Sequence, residues 1–295
     1  MSDSSQKKIL VLGSSGFLGT FFVNAFYNKF SIFITHHHKK IHSDSIQVDI
    51  TSFNSLEKIF QISKPDIVLN LCSIYINPEF CEKNKNLVLS INGDSLKTIS
   101  KLCNKFSSFL LHFSTDYVFD GKKGNYSEDD PVSPINFFGK SKAIAEKHIE
   151  EIADNYCIIR TGMVYGKSLI KQTLPDWILD KIEKKQKLEL ISDQFMTPTY
   201  IENLSNMLSE VINKEIHGKI HLAGPQKFSR HTFALELLKI MNISYDQIIP
   251  ISQNSFEHIE RPKDSSLNTD KASSLLNIQS ESFKISIKKY LNTRF

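Results

Sequence analysis

The sequence predicts an α/β protein built on a doubly wound parallel sheet, and three observations carry that prediction. Apolar runs typical of strands buried on both faces recur at 8–12, 67–71 and 109–114. Segments with helical spacing of apolar residues alternate with them. A glycine array, Gly13, Gly16 and Gly19 in GSSGFLG, stands directly between the first run and the first helical segment.

In chain order the elements read as follows. A strand at 8–12 is followed by the glycine turn and a helix over 16–28, then a second strand at 31–35. Thr51 is placed to cap a helix over 52–62, and Pro65-Asp66 leads into the strand at 67–71. Leu87, Ile91, Leu96, Ile99 and Leu102 mark a helix over 87–106, followed by the strand at 109–114. Residues 116–135, rich in Gly, Asp, Ser and Pro, read as a long loop, and loops of that length usually carry function or are disordered. A helix at 136–154 and a strand at 156–160 continue the sheet. Beyond Thr161 the pattern loosens: helices at 175–185, 201–213 and 231–241 alternate with strands at 188–192 and 219–223, as in a smaller α+β lobe. The expected division is 1–160 for the dinucleotide sheet and 161–295 for the lobe, with late segments returning to the sheet.

Composition excludes several classes. With 295 residues, 36 Lys+Arg against 32 Asp+Glu, and 40% apolar residues, the chain is an ordinary globular one, near the length at which a single core begins to split. Acidic residues alternate with lysines, so the net charge of +4 does not imply nucleic acid. The uncharged run 9–27, after Lys7 and Lys8, imitates a signal peptide or membrane span, but Gly13, Gly16, Gly19 and Asn24 interrupt it and its apolar part is too short. Membrane insertion is therefore not expected. Cys72, Cys81, Cys103 and Cys157 lack CxxC spacing, which suggests neither a metal site nor a disulfide framework and fits a reduced, cytoplasmic compartment.

Glycines in that strand–turn–helix context permit the tight turn and let a pyrophosphate approach the helix N-terminus. An acidic residue about 20 positions onward would suit the 2′-hydroxyl of NAD. Here the second strand ends in Thr35, His36, His37, His38, Lys39 and Lys40, with no carboxylate before Asp44. Cations there suit a 2′-phosphate, so NADPH is expected ahead of NADH, which stays open. The plainer alternatives are a solvated basic loop or adventitious metal binding by the three histidines.

These features, together with PDIVLNLCS (65–73), STDYVFDG (114–121), EDDPVSPINFFGKSKAIAEK (128–147), RTGMVYG (160–166), SDQFMTPTY (192–200) and RPKDSSL (261–267), resemble the extended short-chain dehydrogenase/reductase superfamily. Within it the chain is similar to the dTDP-4-dehydrorhamnose reductase family, with a Rossmann-type sheet. The regulatory beta subunit of methionine adenosyltransferase resembles the same family and keeps its fold and dinucleotide site. The resemblance implies an NADP-dependent oxidoreductase reducing a nucleotide-activated 4-keto-6-deoxysugar. It carries cofactor contacts to Gly13, Ser15, Gly16, Phe17, Leu18, Gly19, His36, Lys39, Asp49, Ile50, Leu71, Cys72, Ser73 and Lys142, and substrate contacts to Asp116 and Met163. Arg160 and Arg261 are candidates for the diphosphate because a guanidinium fork suits phosphate geometry; an Arg-Pro turn is the alternative for Arg261.

The family's catalytic set is a hydroxyl that bonds the carbonyl, a tyrosine that gives the proton, and a lysine four residues later on the same helix face. Thr115 matches the hydroxyl and Lys142 the lysine, while Phe138 occupies the tyrosine position. Losing a positioned general acid costs roughly 10² to 10⁴ in rate. Three readings follow: another donor (Tyr117, Tyr126, Asp116 or a held water); an epimerase or dehydratase chemistry; or a silent NADP-binding subunit like the methionine adenosyltransferase one. A nucleotide-sugar substrate is expected, nucleic acid and membrane are not, and a homodimer is left open.

Overall fold

The computed structural model describes residues 6–75, 77–255 and 259–294. The chain forms β1 (Lys8–Leu12), α1 (Phe17–Phe26), β2 (Ser31–His36), β3 (Ile46–Gln47), α2 (Phe53–Ser63), β4 (Ile67–Asn70), α3 (Pro78–Lys83), α4 (Lys85–Leu89), α5 (Ser95–Phe106), β5 (Phe109–Thr115), α6 (Phe137–Ile152) and β6 (Tyr156–Thr161). It continues through β7 (Val164–Tyr165), α7 (Leu174–Glu183), β8 (Leu188–Ile191), β9 (Phe195–Met196), β10 (Thr199–Tyr200), α8 (Ile201–Lys214), β11 (Gly218–His221), β12 (Phe228–Ser229), α9 (Arg230–Ile240), β13 (Ile248–Ile251), α10 (Asp270–Leu275) and α11 (Phe283–Arg294). Two compact units result. One comprises Met1–Ser114, Lys140–Ile159 and Ile216–Lys219; the other comprises Thr115–Gly139, Arg160–Glu215 and Ile220–Phe295.

A seven-stranded sheet runs in the order β11, β6, β5, β4, β1, β2, β3. The pairs β5–β4, β4–β1, β1–β2 and β2–β3 are parallel, with Leu10 opposite both Val68 and Phe33. Alternation along the strands sorts their side chains to two faces. Leu10, Val68, Leu110 and Ile158 pack against Leu56 and Phe60 of α2, Leu96 and Ile99 of α5, and Ala145 and Ile149 of α6. On the opposite face Phe22 of α1 meets Phe113 of β5, ring centres 5.5 Å apart. Both faces are thereby covered, which is why these strands read as unbroken apolar runs. The second unit has its own core, where Tyr165, Ile178, Leu188, Phe233, Leu237 and Phe283 are buried together. Its short strands pair as β13–β8 and β10–β7, parallel, and β12–β9, antiparallel.

Two local expectations are corrected. The helix expected over 87–106 is broken by a π-helical stretch, Ser90–Asp94, between α4 and α5. The widened turn points Asn92 inward, where its amide exchanges hydrogen bonds with the backbone of Ile74 (2.7 and 3.1 Å) and donates to Ser141 Oγ (3.2 Å). Ser52, not Thr51, caps α2; Thr51 instead donates from its N–H and hydroxyl to Asp49 Oδ1, at 2.9 and 2.7 Å.

Gly19 is where helix and turn approach most closely, since a Cβ there would lie 2.3 Å from Gly13 O and 2.6 Å from Ser14 Cα. Both are backbone atoms that cannot swing aside, so Gly19→Ala is expected to cost about 1–3 kcal/mol of stability, measured by urea unfolding.

Candidate active site

The glycine turn lies in the first unit between β1 and β4, where strand order reverses and open α/β sheets take their ligands. Gly13 has φ +86°, a left-handed conformation that favours glycine, and a Cβ on it would lie 2.8 Å from Cys72 N. Gly16 caps α1 without placing a side chain over the first helical turn. The turn is stapled by Ser14 Oγ donating to Thr35 O (2.5 Å) and Thr20 Oγ1 donating to Ser14 O (3.2 Å). Ser15, Phe17 and Leu18 are half-buried, and Leu71, Cys72 and Ser73 follow β4 beside the turn. Burial pushes the Cys72 thiol up to about 12, so it is neutral at ordinary pH. This cradle of glycines and open backbone fits a dinucleotide pyrophosphate. At the end of β2, His36 Nδ1 meets Ser45 Oγ at 2.8 Å, and Lys39 is exposed. Asp49, held below the usual carboxylate range by its bonds from Thr51, precedes Ile50, which belongs to the unit's core.

Lys142 is also in the first unit, on α6 and almost wholly buried at 2% exposure. Its Nζ donates to Phe113 O at 2.6 Å and lies 3.3 Å from His112 Nε2. His112 Nδ1 in turn meets Asn70 Nδ2 at 3.1 Å, while Asn70 Oδ1 accepts from Cys72 N–H, also at 3.1 Å. That backbone bond fixes the amide's orientation, so Nδ2 donates to Nδ1 and the imidazole proton sits on Nε2, towards the lysine. Burial and the neighbouring Lys142 hold His112 neutral. Burial also pulls Lys142 down to about 8, against the raising charge of Glu146. Glu146 itself accepts from Ser114 Oγ at 2.5 Å. Asn70, Asn92, His112 and Glu146 were not singled out from the sequence; their only signal is a polar residue inside an apolar pattern.

Thr115 and Asp116 belong to the second unit. Thr115 Oγ1 donates to Asp116 Oδ1 (3.0 Å) and accepts from Tyr117 N–H (3.2 Å); Ser265 Oγ donates to Asp116 Oδ2 (2.6 Å). Burial raises the Asp116 carboxyl to about 6 despite those bonds. Phe138 lies in the first turn of α6, where Asn136 Oδ1 accepts from Gly139 N–H at 2.9 Å. Its ring meets the edge of Tyr117, centres 6.0 Å apart, and Gln194 Nε2 donates to the Tyr117 hydroxyl at 3.2 Å. Tyr126 is locked elsewhere, stacked on Phe119 and donating to Asp120 Oδ1 at 2.6 Å. Met163 packs on the unit's core.

Arg160 corrects an expectation. Its side chain is fully buried, with Nη1 3.3 Å from Glu128 O and 3.4 Å from His221 Nε2 and the guanidinium 5.0 Å from the Phe119 ring centre, so it is not open to a diphosphate. Arg261 instead lines a cavity of about 1130 Å³ lying within the second unit, with Trp177, Phe195, Lys227, Arg230 and Lys263 among its walls. Trp177 and Arg230 had not been picked out from the sequence. Among the described residues no cluster of metal ligands is found, and no helix is long and apolar enough to cross a membrane.

A doubly wound seven-stranded sheet with a glycine turn at its switch point defines a Rossmann-like α/β protein. The chain matches the RmlD substrate binding domain over residues 7–294 and belongs to that family. Among its relatives, dTDP-4-dehydrorhamnose reductase of Escherichia coli is 26% identical over 271 residues, 86% of this chain and 88% of that protein. Methionine adenosyltransferase 2 subunit beta of Bos taurus is 23% identical, covering 97% and 87%. The crystal structure of dTDP-4-dehydrorhamnose reductase from Bacillus anthracis in complex with NADP superposes with a TM-score of 0.87 at 22% identity, over 98% of this chain and 99% of that one, and shares its fold.

Two measurements test this geometry. Folded Lys142 binds its proton more weakly than the ordinary 10.5, so stability rises with pH between about 8 and 10.5. Lys142→Met is expected to abolish that rise, on the order of 3 kcal/mol, in urea titrations across the window. Arg160→Ala is expected to lose about 3–5 kcal/mol, as truncation of a large buried side chain does, with no selective loss of ligand affinity in the folded fraction.

Proposed function

We propose that this chain is an NADPH-dependent reductase of a nucleotide-activated 4-keto-6-deoxysugar. The observation that carries the reading is Lys142, an amine kept at 2% exposure without a carboxylate bonded to it. Burying such a group costs stability, and an inert scaffold has no need of it. In this reading the turn from Gly13 to Gly19 holds the pyrophosphate, with Leu71, Cys72 and Ser73 beside it. His36 and Lys39 receive the 2′-phosphate, Asp49 and Ile50 complete the nucleotide pocket, and Lys142 holds the nicotinamide ribose. Thr115 bonds the carbonyl oxygen, Asp116 and Met163 lie on the substrate side, and Arg261 with Arg230 binds the diphosphate. A bound reduced nicotinamide supplies the hydride.

A non-enzymatic subunit is the second reading, favoured by Phe138 in the tyrosine position and by the likeness to the methionine adenosyltransferase subunit along 97% of the chain. Purified protein with NADPH and dTDP-4-keto-6-deoxysugar separates the two: oxidation of the cofactor, lost in Lys142→Ala, supports the enzyme, and none at any pH supports the subunit. Cofactor choice is tested separately. NADPH is expected to bind at least tenfold more tightly than NADH in fluorescence titrations, about 1.4 kcal/mol, and Lys39→Glu to reduce that preference. Tighter NADH binding by the wild type would sink the assignment of the basic loop.

A further inference from the structure

On the reductase reading the missing tyrosine hydroxyl leaves a proton to be found, and the hydrogen bonds around Thr115 bear on where it could come from. A threonine hydroxyl has a single proton. Here that proton goes to Asp116 Oδ1 (3.0 Å), while the oxygen already accepts from Tyr117 N–H. When Thr115 turns its proton towards a substrate carbonyl, the carboxyl keeps the bonds from Ser265 and from backbone N–H groups, and a proton on Asp116 would restore the lost bond by donation to Oγ1.

Asp116 is suited to carry it. At 4% exposure its carboxyl meets neutral hydroxyls and backbone N–H groups, and among the described residues no cation lies within ion-pair distance of it. The charged groups on the surrounding elements, Arg230 at the start of α9 and Arg261 ahead of Ser265, act on the neighbouring Tyr117. Their pull does not prevent burial from raising Asp116 to about 6.

We propose that Asp116 and Thr115 form a two-step proton relay that replaces the absent hydroxyl at Phe138, an inference that rests on the reductase reading. As the carbonyl carbon takes a hydride, a C–H bond forms and the π electrons move to oxygen. That oxygen takes the Thr115 proton, Thr115 Oγ1 takes the proton of Asp116, and Asp116 is left as a carboxylate, accepting from Thr115 and Ser265 as it does in the structure. Solvent then returns one proton to Asp116 before the next turnover. Thr115 is the catalytic residue, since it meets the substrate; Asp116 acts through it.

The test compares the wild type with Asp116→Asn, Phe138→Tyr and the double variant, using NADPH and a 4-keto nucleotide sugar between about pH 5 and pH 8.5. Wild-type kcat is expected to rise as pH falls towards about 6 and to level off below it, because the protonated carboxyl is the active form. Asp116→Asn still donates to Thr115 but has no proton to transfer, so kcat should fall roughly 10²- to 10⁴-fold and lose the limb near pH 6, with KM little changed. Phe138→Tyr in that background should restore turnover, which a merely structural role for Asp116 would not allow. Difference infrared spectra of wild type against Asp116→Asn should show a protonated carboxyl band at about pH 5 that disappears by about pH 8.

Wild-type activity and pH profile unchanged in Asp116→Asn would overturn the relay and leave the reductase reading standing. A silent wild type beside an active Phe138→Tyr overturns the relay and the native reductase reading together and leaves only the reductase scaffold. If both are silent while NADPH binds, the reductase reading falls and takes the relay with it. An Asp116 carboxyl that stays ionised at pH 5 overturns the relay whatever the activity.

Discussion

The burial of one amine organises the first unit. Lys142 has lost almost all of its hydration, and what replaces it is a carbonyl at 2.6 Å and the charge of Glu146 one turn along, while the imidazole N–H of His112 at 3.3 Å offers no acceptor. Because the carbonyl belongs to Phe113 on β5, the bond ties α6 to the sheet. Glu146 repeats the tie one residue on, through Ser114. From the other side Asn92 reaches Ser141, the residue before the lysine, and the helix carrying Asn92 has to widen to allow it. A π-helical turn in a segment otherwise suited to an α-helix is costly, and it is found here where it completes a polar contact beside a buried charge.

The second unit treats its buried ionisable groups differently. Arg160 is supported on several sides by Glu128 O, the His221 ring and the face of Phe119, and it is the largest of the fully buried side chains. That packing leaves its guanidinium no freedom to turn. Asp116 has hydroxyl and backbone N–H donors and, among the described residues, no cation in contact, and burial raises its carboxyl to about 6 despite those bonds. The first arrangement stabilises; the second leaves a proton exchangeable near neutral pH.

Sequence patterns revealed what depends on neighbours in the chain. The alternation of strands and helices, the glycine turn and the four-residue spacing from Phe138 to Lys142 are all local, and each lies where the spacing placed it. The contacts that hold Lys142 join residues dozens of positions apart, and Asn70 or His112 alone in an apolar run carries no sign of its partner. Arg160 shows the opposite error. A guanidinium at the end of a strand suits a phosphate, but residue type does not say whether the chain closes over it, and here the segment bearing Glu128 and β11 bearing His221 do so. Thr51 and Ser52 were two adjacent hydroxyls competing for one cap, a choice decided by the position of Asp49.

Phe138 is best understood against these costs. Its ring is 9% exposed and packs edge-on against Tyr117, so phenylalanine satisfies the packing that a tyrosine ring would supply at that place. Losing the hydroxyl alone therefore leaves the fold intact. Buried Lys142 and Asp116 are different, since each raises the free energy of the folded chain in its charged form, and replacement by a neutral residue would relieve that strain. A protein that had become a passive scaffold would gain stability by losing both. On the proposed reductase reading, the hydroxyl absent at Phe138 is one the packing does not require and the two groups retained are costly, the pattern expected of proton chemistry that uses a different donor.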